Sequence, residues 1–345
     1  MLKFNHLFNT LVLLFPLFTY ASFNVGFKQI NLDKEGSRPL NIAVWYPAKN
    51  SGETIAIGDN TVFYGSRVIP NGKPLLSNNK YPLIVFSHGY GGSWHNLSWL
   101  AYELTGQGYI VVAPNHPGTT ILNRDIKQSV QLWQRPRDLS RTIDAISIDE
   151  DLASFIDMNK ISAIGHSLGG WTVIALAGGR FNTALFKQDC MTHSNLKACE
   201  LVSDLGLDNP ELNNSMKDPR IKAFITLDTG LARGFTPQSL KNMNIPSLVI
   251  GAGIDVGDMA VELESGYLQQ FLTKSLSTYI VIPDAMHFSF MQVCKVGAVD
   301  LLNKESEGEG IICQDGGTRE RTEIHRELSY LITGFLSKIF LNTAD

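Results

Sequence analysis

Apolar and polar residues alternate through positions 23 to 31 and again through 40 to 47, with Asp33-Lys34-Glu35-Gly36-Ser37-Arg38-Pro39 between them. A period of two predicts half-buried strands, and the dense turn signal makes them an antiparallel pair. Residues 48 to 80, rich in Gly, Asn, Ser and Lys, show little periodicity and read as a long surface connection. The pattern then changes. Tyr81-Pro82-Leu83-Ile84-Val85-Phe86-Ser87 is a continuous apolar run, the mark of a strand covered on both faces and so of a parallel sheet between helices. Strand and helix signals alternate from there. Residues 95 to 107 read as a helix and Tyr109 to Ala113 as a strand; 138 to 158 have approximately helical spacing and lead into a strand at Lys160 to Ile164. Ile221 to Leu227, Ser247 to Gly251 and Thr278 to Ile282 read as further strands, with helices over 259 to 274 and 320 to 341. The alternation breaks only at 180 to 219, a polar insertion placed where it can cover the mouth of a site. The expected fold class is α/β: a mostly parallel, doubly wound sheet with helices on both faces and active groups at the carboxyl ends of its strands.

At the centre of this pattern the apolar run 160 to 164 stops at Gly165-His166-Ser167-Leu168-Gly169 and a helix former continues to Ala177, closed by Gly178-Gly179. A Gly-x-Ser-x-Gly sequence between a buried strand and a helix is a nucleophile elbow, its glycines making room for a backbone too tight for a Cβ. A serine hydroxyl is a weak nucleophile at neutral pH, so Ser167 needs a base and a carboxylate to orient that base. His287, after the strand and turn Ile280-Val281-Ile282-Pro283-Asp284-Ala285-Met286, stands on the sheet edge of the elbow and is the expected base. His116, also at a strand end, is a lesser rival. His6 falls in the amino-terminal segment, His88 in a glycine-rich loop, His166 within the elbow, His193 in the insertion and His325 in the last helix. For the acid, Asp228 and Asp255 each follow a strand between Ser167 and His287, and Asp258 is a weaker third; periodicity does not choose among them. An oxyanion hole needs two backbone N–H groups. Leu168 supplies one, and Tyr90, in His88-Gly89-Tyr90-Gly91-Gly92, is expected to supply the other. That loop lacks the glycine spacing and the Gly-Lys-Ser/Thr of phosphate cradles, which argues against a nucleotide site.

Charge and cysteines narrow the setting. With 29 Lys and Arg against 33 Asp and Glu the net charge is −4, and no basic cluster suggests nucleic acid as a partner. Lys3 and His6 precede the apolar run Leu7 to Phe18, and Thr19-Tyr20-Ala21 ends in a small residue. Residues 1 to 21 therefore read as a secretory signal peptide cut near Ala21, too short to span a bilayer comfortably, with no cysteine at the cut for a lipid. Residues 22 to 345 form one domain carrying the insertion, exported to the periplasm or the medium. Four cysteines in an exported chain point to two disulfides, and proximity favours Cys190 with Cys199 and Cys294 with Cys313. No Cys-x-x-Cys pair calls for a metal, and no cofactor is expected.

Phe86-Ser87-His88-Gly89, Gly165-His166-Ser167-Leu168-Gly169-Gly170 with Thr172-Val173-Ile174, and the Leu227-Asp228 strand end together resemble α/β-hydrolases of the platelet-activating-factor acetylhydrolase type. The bacterial exported proteins described as predicted dienelactone hydrolases are similar. The resemblance runs over about residues 25 to 340. It implies an α/β-hydrolase fold, an acid directly after the first strand beyond the elbow, hence Asp228 ahead of Asp255, oxyanion donors at Tyr90 and Leu168, and no metal. Two departures limit it. True dienelactone hydrolases use cysteine where this chain has Ser167, and the insertion stretches the nucleophile-to-acid spacing to 228 − 167 = 61 residues, so substrate preference does not carry over. The expected function is an exported serine esterase acting on a small-molecule ester or lipid through an acyl-enzyme. A lipase, phospholipase or acyltransferase is the alternative among enzymes, and a secreted binding protein on a hydrolase scaffold the alternative outside them. Trp171, Phe235, Met286 and Phe288 are candidates for an acyl pocket or for core.

Overall fold

The computed structural model describes residues 23–257 and 259–340; the expected signal peptide and Asp258 lie outside them. Ten strands form the sheet: β1 (Asn24–Leu32), β2 (Leu40–Ala48), β3 (Ile55–Ile57), β4 (Ser66–Pro70), β5 (Tyr81–Ser87), β6 (Ile110–Pro114), β7 (Ile156–His166), β8 (Ile221–Leu227), β9 (Ser247–Ile254) and β10 (Ser277–Met286). Their order is β10-β9-β8-β7-β5-β6-β2-β1-β4-β3. From β6 to β10 all neighbours run parallel, and β1 and β2 add the expected antiparallel pair at the other side.

Side chains that alternate along β5 divide the core in two. Leu83 and Val85 pack on the face covered by α2 (Gln134–Ser147) and α3 (Leu168–Ala177), through Leu139, Ile143, Ile146, Val173 and Ile174. Ile84 and Phe86 pack on the opposite face, against α1 (Ser98–Gly106) and the closing helix, residues 321–340. In that last helix Ile324, Leu328, Ile332 and Leu336 recur every fourth residue, which puts one apolar stripe on the sheet and leaves the other side to water. Helix α3 is buried at every position, so its apolar and small composition is a packing requirement.

Three expectations are corrected. Residues 48 to 80 are not a bare connection: β4 joins β1 in parallel through Gly26 with Ile69 and Phe27 with Pro70, and β3 pairs with β4. The partner of β4 in β1 lies some forty residues away, beyond the reach of local periodicity, and β3 forms only against the strand that this pairing creates. The helix expected over 138 to 158 is α2, ending at Ser147, and Ile156 already begins β7 opposite Tyr81. Leu152 and Phe155 match helical spacing by chance and occupy a turn and a 3₁₀ segment. The helix expected over 259 to 274 is only Ser265–Phe271, the residues before it being loop.

Candidate active site

Because β7, β8, β9 and β10 are parallel neighbours, their carboxyl ends open on one edge, and Ser167, Asp228 and His287 follow three of those ends directly. The elbow is strained as its motif requires: Ser167 sits at φ 56, ψ −123. A Cβ on Gly165 would lie 2.0 Å from the Gly169 carbonyl oxygen, and one on Gly169 1.9 Å from that of Ser87. Both positions admit only glycine at this approach. Ser167 is tied to the acid strand through its N–H, which donates to Leu227 O at 3.0 Å.

Asp228 is also at positive φ (43) and is 4% exposed. Its N–H donates to Ile250 O at 2.7 Å, and its Oδ1 accepts from Ala252 N–H at 2.9 Å, so β9 fixes both its backbone and one carboxylate oxygen. The other oxygen, Oδ2, lies 2.6 Å from His287 Nδ1. Asp255, by contrast, is exposed, and its Oδ1 accepts from the N–H groups of Gly257 and Met259 at 2.9 Å each, bonds that shape its own loop. An imidazole whose Nδ1–H is held by a carboxylate keeps its lone pair on Nε2, the atom that accepts a proton from a nucleophile.

His166, the variable residue of the elbow, does more than the sequence disclosed. Its Nε2–H donates to the backbone carbonyl of His287 at 2.9 Å. Burial, then the neighbouring His287, push its proton affinity well below the ordinary imidazole value, so it stays neutral. The elbow thus holds the backbone of the His287 loop.

Ser167 and His287 line one cavity of about 300 Å³, together with Tyr90, Leu168 and an apolar wall that includes Leu201, Leu205, Leu231, Val256, Met259, Phe288 and Ile311. The insertion reaches it: Lys197, Ala198, Leu201 and Leu205 all belong to 180 to 219. The Cys190–Cys199 disulfide closes the insertion's loop, and Arg233 Nε donates to Asp189 Oδ2 at 2.7 Å, tying the insertion to the segment after Asp228. The second disulfide joins Cys294 and Cys313, so both pairings are those expected. Glu264 also lines the cavity and carried no sequence signal, since one carboxylate in a helical window reads as solvent-facing. Its Oε2 accepts from Ala232 N–H at 2.7 Å and its Oε1 from Arg233 Nη1 at 3.2 Å, while burial pushes its carboxyl up to about 7. Of the four candidate acyl-pocket residues, Phe288 faces the cavity and Met286 is half-buried at the end of β10. Trp171 and Phe235 are fully buried in an aromatic cluster with Phe181 and belong to the core.

The rival His116 occupies a second serine, histidine and aspartate arrangement, with Ser87 Oγ 3.0 Å from its Nε2 and Asp138 Oδ2 3.0 Å from its Nδ1. All three residues are wholly buried. Spacing alone therefore does not make a nucleophile; access does. His325 stacks on Trp99 and faces the carbonyls of Ser289 and Met291, His193 lies beside Asp189, and His88 is sealed beneath its loop.

A parallel, doubly wound sheet with a strained serine elbow and a histidine held by a buried carboxylate at its carboxyl edge is that of an α/β-hydrolase. The ferulic acid esterase from Streptomyces cinnamoneus shares this fold with a TM-score of 0.64, at 18% identity, over 95% of this chain and 93% of that one. The Chlorophyllase family model matches residues 68–345, and the chain belongs to that family. The platelet-activating factor acetylhydrolase of Cavia porcellus is 29% identical over 184 residues, 38% of this chain and 42% of that protein. Cutinase est1 of Thermobifida alba is 23% identical over 218 residues, 61% of this chain and 55% of that one. The chain thus spans about half the length of these two relatives.

Proposed function

We propose that the protein is a serine hydrolase that cleaves carboxylic esters through an acyl-enzyme. In this reading His287 Nε2 takes the proton of Ser167 as its oxygen attacks the ester carbonyl, and Asp228 keeps the imidazole in the tautomer that can do so. The N–H groups of Tyr90 and Leu168 stabilise the oxyanion; the imidazolium then protonates the leaving alcohol, and water repeats the sequence to release the acid. The observation that carries it is the 2.6 Å contact of His287 Nδ1 with buried Asp228, in a histidine that shares its cavity with Ser167. The names of the relatives, acetylhydrolase, cutinase and ferulic acid esterase, agree with ester cleavage. The apolar wall supports an acyl or aryl group of modest size, and lipid esters are the second reading on the same observation.

The insertion 180 to 219 acts as a cap within one domain. Two formed disulfides support an oxidising compartment, hence export with removal of residues 1 to 21. No helix among the described residues is long and apolar enough to cross a membrane. The test is Ser167→Ala against a chromogenic short-chain ester, with fluorophosphonate labelling alongside. Loss of turnover and of labelling is expected, and undiminished turnover refutes the reading. A chain-length series with and without an alcohol acceptor separates esterase from lipase and acyltransferase.

A further inference from the structure

Beneath the glycine loop lies a guanidinium that no step above uses. Arg135, in the first turn of α2, is 1% exposed, yet its bonds go to four neutral oxygens. Nε donates to Thr172 Oγ1 at 2.9 Å, Nη1 to Thr119 Oγ1 at 2.6 Å, and Nη2 to Ser87 Oγ at 3.1 Å and to the carbonyl of His88. The carboxylate closest in sequence, Asp138, is engaged elsewhere: Arg38 clamps both its oxygens at 2.8 and 2.7 Å, and His116 Nδ1 meets Oδ2 at 3.0 Å. A buried cation without a carboxylate of its own is expensive to keep, so its geometry carries information.

That geometry converges on the two expected oxyanion donors. On one side Arg135 holds the His88 carbonyl. His88 in turn accepts from His116 N–H at Nε2, 3.0 Å, which leaves its proton on Nδ1, 2.7 Å from the Gly89 carbonyl. Gly92 N–H also donates to that carbonyl, at 3.2 Å. In a planar trans peptide the N–H points opposite to the C=O, and no cis bond occurs among the described residues. Two bonds on Gly89 O therefore aim the Tyr90 N–H to the opposite side of that peptide. The loop also presses on the elbow, since a Cβ on Gly89 would come 3.1 Å from Ser167 Cβ. On the other side, Thr172 accepts from Arg135 and donates to Leu168 O at 3.0 Å, so the same guanidinium grips the first turn of α3, whose leading N–H is that of Leu168.

We propose that Arg135 is a positioning residue of the oxyanion hole, a rigid fork that locks the Ser87–Tyr90 segment to the first turn of α3 and sets a fixed positive charge behind the developing oxyanion. The inference rests on the reading of Tyr90 and Leu168 as the donors. The planar, five-donor fork suits the role, because one rigid group satisfies acceptors on three separate segments. The charge persists at neutral pH: burial pulls the guanidinium down only to about 9, Asp138 pulling the other way. In a site that excludes water, a fixed charge and pre-aimed dipoles lower the barrier because they need no reorganisation as the oxyanion forms.

The experiment compares wild type, Arg135→Lys and Arg135→Met, normalised to active sites titrated with a fluorophosphonate. The readouts are kcat and KM on p-nitrophenyl acetate and the inhibition constant of an arylboronic acid, which mimics the tetrahedral oxyanion on Ser167. Removing a donor outright costs about 10²–10³ in kcat. A residue acting through the donors is expected to cost somewhat less, so Arg135→Met should lower kcat by roughly 10- to 100-fold, with KM within about threefold. The boronate constant should weaken by the same factor as kcat, and Arg135→Lys should recover part of the loss. A fall in thermal midpoint with kcat per titrated site unchanged would make the role structural only and overturn the proposal, as would a boronate constant that stays put while kcat falls. Should Arg135→Met fail to fold, Thr172→Val and Thr119→Val each remove one grip with the charge in place; a kcat loss of roughly 3- to 10-fold in either is expected, and no loss in both overturns the proposal. Full turnover by Ser167→Ala would instead sink the esterase reading beneath it.

Discussion

Replacing Asp228 by asparagine tests how the carboxylate controls its histidine. In the wild type the two oxygens have different duties: Oδ1 accepts from Ala252 N–H at 2.9 Å and Oδ2 faces His287 Nδ1 at 2.6 Å. An asparagine has one oxygen and one NH₂ to meet both. With its oxygen toward Ala252, the amide hydrogens face Nδ1, which must then be an acceptor, so the ring proton moves to Nε2 and the imidazole loses the lone pair that the proposed mechanism asks of it. The flipped amide would instead set two donors against each other at Ala252, at a cost of about 1–3 kcal/mol for a buried unsatisfied group. The structure therefore favours the inactive tautomer. The comparable substitution in a serine protease lowers kcat by about 10⁴; a loss of about 10³–10⁴ is expected here, equivalent to roughly 4–5.5 kcal/mol of barrier. Asp255→Asn keeps an oxygen for Gly257 and Met259 and should stay within about threefold of wild type. Initial rates on a short-chain chromogenic ester, normalised to titrated active sites, measure both. An Asp228→Asn enzyme retaining more than a tenth of wild-type turnover, or an equal loss in Asp255→Asn, refutes the tautomer argument.

Three further outcomes follow from the surrounding geometry. Glu264 titrates near 7 in the folded protein against an ordinary value of 4.5, because burial disfavours its charge. The folded state thus holds this proton more tightly, and its contribution is present below about 4.5 and lost as pH rises through about 7; Glu264→Gln should gain up to roughly 3 kcal/mol relative to wild type between pH 4.5 and 7.5, at 1.36 kcal/mol per unit. Urea midpoints across that window measure it, and a constant difference between the two proteins would contradict it. Removing the Cys190–Cys199 bridge, which closes a loop of sequence separation 9, should lower stability by about 2–3 kcal/mol and alter selectivity among acyl chain lengths, because the same segment lines the cavity. Equal stability of Cys190→Ser/Cys199→Ser to denaturant would count against the loop-closure argument. Gly169→Ala forces a Cβ to 1.9 Å from backbone at Ser87 and should yield little folded protein, with a loss above about 4 kcal/mol; a soluble, active variant would mean that the elbow relaxes more than its packing implies.

The sequence by itself determined the elements and the chemistry that local pattern can encode. Continuous apolar runs marked the buried parallel strands, a glycine-bounded serine between strand and helix marked the elbow, and nearness in sequence paired the cysteines. Where a partner lay far along the chain, local pattern was silent: β4 found β1 across some forty residues, and Leu152 and Phe155 counterfeited helical spacing in a turn. Local pattern left Asp228 and Asp255 both open, since each follows a strand, and only the family resemblance put Asp228 first; the strand order and the β9 backbone give the physical reason that it is Asp228 that meets His287. Tertiary structure alone decided that Ser87, His116 and Asp138 are sealed while Ser167 and His287 share a cavity, since burial depends on what every other segment covers. Arg135, an ordinary arginine in a helical window, acquired its place in the same way. Its four acceptors come from three segments, and only the fold brings those segments to one guanidinium.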